Sequence, residues 1–106
     1  MAWLYLLIAG LFEMGWPVGL KLAQREGLRV VGLSLAVLFM AVSGWLLWLA
    51  QREIPLGTSY AVWTGMGAAG TFVIGLVFFG DPTSVPRFLG VALILVGVVL
   101  LKVASG

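Results

Sequence analysis

The chain has 106 residues, 62% of them hydrophobic and only 9% charged, which is too little charge to cover the surface of a soluble domain of this size. Its net charge of +2 comes from six basic and four acidic residues that are few and scattered, which leaves no footprint for nucleic acid. The absence of cysteine and histidine excludes a disulfide framework, thiolate chemistry, zinc sites of the usual kind and histidine acid–base catalysis.

The remaining class is an integral membrane protein, and the spacing of the polar residues predicts an all-α fold. A helix crosses the hydrocarbon core with about 20 residues at about 1.5 Å each. The reading is a single four-helix transmembrane domain over residues 1–106, with spans at about 2–22, 30–50, 54–79 and 85–104. In the first span the stretch Ala2 to Leu20 carries one charged residue, Glu13. We expect it to be a true span and not a cleaved leader, because no basic region precedes it, no small-residue cleavage site follows it and an acid interrupts it. Gln24-Arg25-Glu26-Gly27 ends it. The second and third spans hold no ionisable residue and are separated by Gln51-Arg52-Glu53, Pro55 and Gly57. Gly80-Asp81-Pro82 reads as a helix stop, and Pro86 suits the first turn of the last span. That span is extended by Arg87 and Lys102, whose long side chains can snorkel to the interface. Continuous apolar runs argue against a membrane β-barrel, which alternates. Lys21, Arg25, Arg29 and Arg87 fall on one side and Arg52 and Lys102 on the other, a weak bias that permits insertion in either orientation.

Glu13 is the residue most in need of a reason. An ionised side chain at mid-membrane is disfavoured by about 2.5–3.5 kcal/mol on insertion scales. It reads either as a proton and cation site or as a neutral carboxyl bonded to a neighbouring helix. Trp16 stands three residues on, on the same helix face, where its N–H can hold a carboxylate and its ring can attract a cation. Pro17 has no N–H, so the carbonyl of Glu13 loses its helical partner. A kink there serves either the acid or helix packing. In the third span Tyr60 and Trp63 repeat the three-residue aromatic spacing, and Gly65 and Gly67 give the helix freedom to bend. Two aromatic pairs and a carboxylate can form a cage for an organic cation. Ser43 is a lone hydroxyl in the second span that bonds back to its own helix or faces the cage. Gly90 and Gly97 lie seven apart on one face of the last span and read as a packing or dimer seam. No cofactor motif or metal-ligand set appears, so an enzyme is not expected.

Four spans in this length, with Glu13 in the first, "YAVWTG" at 60–65 in the third and the glycine seam in the fourth, resemble the small multidrug resistance transporters over essentially the whole chain. Within that family Trp16, "GLK" at 19–21 and "WTGMGAAG" at 63–70 are similar to the guanidinium-exporter subtype. Pro17, Trp45 and Trp48 depart from the usual pattern. The resemblance implies a multi-pass protein of the bacterial plasma (inner) membrane. It implies an antiparallel, dual-topology homodimer that exports guanidinium or a related organic cation in exchange for protons. By the same resemblance Glu13 binds proton and cation in alternation, Trp16 and Ser43 orient it, and Tyr60 and Trp63 line the pocket. Guanidinium suits such a cage, being planar, weakly hydrated and matched to a carboxylate through its N–H fork. Two other readings stand beside this one: an exporter of quaternary ammonium or lipophilic cations with the same exchange, and a non-transporting packing subunit.

Overall fold

The computed structural model describes residues 1–105; Gly106, the last residue of the expected domain, lies outside the described residues. The described residues form helices α1 (Ala2–Glu13), α2 (Gly15–Ala23), α3 (Arg29–Ala50), α4 (Leu56–Phe78) and α5 (Val85–Ala104), and no strand. The α1–α2 unit, α3, α4 and α5 are each long and apolar enough to cross a membrane.

α1 and α2 are one rod with a broken rung. Met14 between them keeps helical dihedrals, φ −64° and ψ −27°. The interruption is therefore a lost hydrogen bond and not a turn. Its cause is in the sequence: residue 17 is proline and has no N–H to give the Glu13 carbonyl.

The connections are short, so successive spans run antiparallel. Gly27 (φ +80°) and Gly80 (φ +66°) take left-handed conformations that close α2 and α4, positions where a β-carbon is strained. Ser84 caps α5: its hydroxyl accepts the Arg87 N–H at 3.3 Å, and Pro86 occupies a first-turn position that needs no donor. Cations at the helix ends sit over aromatic rings. Arg25 stands 5.3 Å from the Phe79 ring on one side, while Arg52 over Trp48 (4.6 Å) and Lys102 over Trp3 (4.9 Å) mark the other.

Small residues set the packing. A β-carbon at Gly19 would press on the Gly32 carbonyl and the Ala36 backbone, and one at Gly32 would overlap the backbone of Ala23 and Gly19. Gly19 and Ala23 on α2 thus mesh with Gly32 and Ala36 on α3, two small-xxx-small pairs that bring the helices into backbone contact. Without a hydrophobic drive between helices in lipid, such close dispersion contact is what holds them together. α4 meets the first span differently, through methionine side chains that fill the space over glycines, Met14 against Gly70 and Met66 against Gly10. At the other end a core of Ala2, Leu6, Ala9, Leu46, Leu47, Ala50, Ile54 and Val62 joins α1, α3 and α4. α5 lies apart. Its backbone approaches only α4, and none of its residues is buried.

Candidate functional site

The break after Glu13 and the glycines of α4 make one place together. Gly67 faces the acid so closely that a β-carbon there would overlap the Glu13 side chain. The absence of a side chain at residue 67 is therefore what allows a carboxylate to lie between α1 and α4. On its own helix the acid is held by Trp16, whose indole N–H donates to Oε1 at 2.5 Å. The other oxygen, Oε2, is buried and has no protein partner. A buried acceptor left unbonded is unfavourable and points to a ligand-facing atom.

The cavity beside Glu13 has a volume of about 260 Å³. Trp16 and Pro17 wall it from the first span, and Thr64, Gly67, Ala68 and Thr71 wall it from α4. A second cavity of about 200 Å³ shares Pro17 and Thr71 and reaches Lys21, Phe79 and Asp81. Asp81 folds back on α4, its N–H bonded to the Gly75 carbonyl at 3.1 Å and its carboxylate lying where a side chain at Gly75 would be.

The other residues singled out in the sequence form a separate cluster. Trp63 donates from its indole N–H to the Ser43 hydroxyl at 2.7 Å, and Ser43 donates onward to the Ala9 carbonyl at 2.7 Å. Ser43 is fully buried, so this relay ties α4 through α3 to α1. Ser43 bonds to another helix and not to its own, and its hydroxyl is engaged with Ala9 and Trp63, not with Glu13. Tyr60 packs on Trp63 with ring centroids 5.5 Å apart and is half exposed. The structure thus joins Glu13, Trp16, Pro17 and Gly67 in one cavity, and Ser43, Tyr60 and Trp63 in a neighbouring network.

Gly65 turns to the other side of α4, where a β-carbon would press on Val98 and Ile94 of α5. α4 is a single helix through both Gly65 and Gly67. Gly90 and Gly97 look onto open space. Trp45 and Trp48 are more than half exposed on α3 and are not among the residues lining the Glu13 cavity. The site residue that inspection of the sequence passed over is Thr71. Thr64, Gly67, Ala68 and Thr71 fall at i, i+3, i+4 and i+7, one face of α4, and that spacing was the signal available for it.

The sequence profile of the family described as Small Multidrug Resistance protein matches residues 1–94. A protein of Yersinia pseudotuberculosis named Guanidinium exporter is 45% identical over 105 residues, covering 99% of this chain and 100% of that one. Proteins of the same name from Proteus vulgaris (40% over 105 residues, 99% and 100% covered) and Salmonella typhimurium (38% over 108 residues, 99% of each covered) are similarly matched along their whole length.

Proposed function

The chain belongs to the Small Multidrug Resistance protein family and is a multi-pass membrane protein, and from that premise we propose that it exports guanidinium and small substituted guanidines in exchange for protons. The observation that carries the reading is the half-engaged carboxylate. Glu13 is fixed on one oxygen by Trp16 while the other is buried, unbonded and beside a cavity. A carboxylate in that state takes either a proton or a cation with N–H donors, and one excludes the other. Exchange follows when the protein reorients only with one of the two bound. An inward proton gradient then drives the cation out.

The relatives named Guanidinium exporter support the choice of cation. So does the chemistry: a guanidinium edge pairs two N–H groups with a carboxylate, and its flat face can stack on the Trp16 ring. The cavity volume of about 260 Å³ is ample for so small an ion. Trp63, bonded to Ser43 and packed on Tyr60, stands outside the lining of that cavity, and to this cluster we assign the coupling of α4 to α1 and α3 during reorientation.

The whole chain acts as one four-span unit and pairs with a second, oppositely oriented copy. The open face of α5 around Gly90 and Gly97 is the seam we assign to that pair. An unpaired face of small residues is what close helix association in lipid uses. In the dimer both Glu13 side chains serve one site.

The test is transport by the pure protein in liposomes carrying a pH gradient. Guanidinium and its methylated or ethylated derivatives exchange for protons, and tetrapropylammonium does not. Tetrapropylammonium exchange without guanidinium exchange would move the substrate to quaternary ammonium ions. No exchange of either, with folded protein, would leave a packing role.

A further inference from the structure

We propose that Thr71 is a specificity-determining residue of the Glu13 cavity, its hydroxyl supplying a second hydrogen-bond partner to the N–H-bearing cation that Glu13 holds. The inference rests on the exchange reading above and deepens it.

A threonine inside a helix ordinarily spends its hydroxyl on the carbonyl three or four residues back. Thr71 does not: its Oγ1 is buried and without a partner. Among the described residues one other buried side-chain atom is in that state, Oε2 of Glu13. The two residues line the same cavity, on opposite helices. Gly67, where the Glu13 side chain rests, is one turn from Thr71 on the same face of α4. Of the other lining residues, Pro17, Gly67 and Ala68 carry no side-chain hydrogen-bonding group, the Trp16 N–H is spent on Glu13, and Thr64 bears a hydroxyl that is not among the buried unpartnered atoms.

Guanidinium has donors around its whole rim and no acceptor. A carboxylate satisfies one edge. The N–H groups on the remaining edges still need acceptors once the ion leaves water. A hydroxyl oxygen accepts such a bond, and its own proton remains free for Glu13 or for a backbone carbonyl. An ion without N–H groups gains nothing from it and must desolvate it, which is how a polar site rejects an apolar analogue. Thr71 also lines the second cavity, with Lys21 and Asp81, so the residue borders both cavities.

The experiment compares the wild-type chain with T71V, T71A and T71S, all purified and reconstituted in liposomes, with guanidinium as the probe and proton flux as the signal. T71V keeps the shape and removes the hydroxyl; T71A removes both; T71S keeps the hydroxyl. Loss of one hydrogen bond to a charged group raises the guanidinium KM about tenfold in T71V and T71A, with kcat within about twofold. T71S stays within about threefold of wild type. An unchanged KM in T71V, with the wild type exchanging normally, overturns the assignment of Thr71 and leaves the exchange reading intact. The same holds if T71S loses as much as T71V, or if kcat falls with KM unmoved, because shape alone then matters. A wild-type chain that neither binds nor exchanges guanidinium overturns both.

Discussion

The helix pair α2–α3 and the helix α5 use the same residue type in opposite ways. Gly19 and Gly32 are pressed so tightly between helices that a single β-carbon at either would strike backbone atoms. Gly90 and Gly97 on α5 meet nothing within 4 Å. In the first case glycine serves contacts already made within the chain. In the second it leaves a surface with no use inside one copy. A run of small residues in a membrane helix therefore marks close approach, but the sequence alone does not say whether the partner is the same chain or another. The region around Glu13 adds a third case, in which Gly67 makes room for a carboxylate side chain.

The largest effect falls on that third case. Glu13→Gln keeps the size and the bond from Trp16 but removes the exchangeable charge. It abolishes guanidinium-driven proton flux in liposomes while the protein remains folded. Persistent flux would detach the site from transport. Gly67→Val drives a branched side chain into Glu13 and lowers both flux and stability, overpacking being unfavourable by about 1–3 kcal/mol.

Next come the glycines of the comparison itself. Gly32→Val strikes the backbone of Ala23 and Gly19 and lowers the thermal midpoint in detergent by many degrees, with loss of folded yield. Gly97→Val has open space at its β-carbon, so it leaves the midpoint of the isolated chain nearly unchanged and acts on assembly, shifting the protein from dimer to monomer in cross-linking or single-molecule photobleaching. Equal loss of thermal stability in the two variants would erase the distinction between filled and open glycines.

A smaller change is expected at Trp16. Trp16→Phe keeps the aromatic face and removes the N–H that Glu13 Oε1 accepts, weakening guanidinium binding about tenfold, the value of one charge-assisted hydrogen bond. The smallest is at Trp45, exposed on the outer face of α3: Trp45→Leu leaves guanidinium KM within about twofold. A larger shift would mean that this face takes part in substrate access.

Much of this fold was legible because a bilayer imposes length and polarity on each helix independently of its neighbours. Four apolar runs with short polar breaks leave little choice. The Trp16–Glu13 pair is equally local, three residues apart on one helix. The relay from Trp63 through Ser43 to the Ala9 carbonyl joins three spans 20 and 34 residues apart, and no spacing within one span encodes it. Gly19 and Gly32 were hidden for the same reason, since each pattern gains meaning only beside the other. Thr71 was masked by a general habit of threonine, which in most helices bonds its own backbone and here does not.

The central claim is that guanidinium and a proton exclude one another at Glu13. The measurement that reaches it most directly is calorimetric titration of guanidinium into the purified protein, repeated across pH and in buffers of different ionisation enthalpy. The account predicts proton release on binding by the wild type, with apparent affinity falling as pH is lowered through the titration of the carboxyl, because protons then occupy the site, and flat above it. Guanidinium binding that releases no proton and keeps the same affinity at every pH would contradict it.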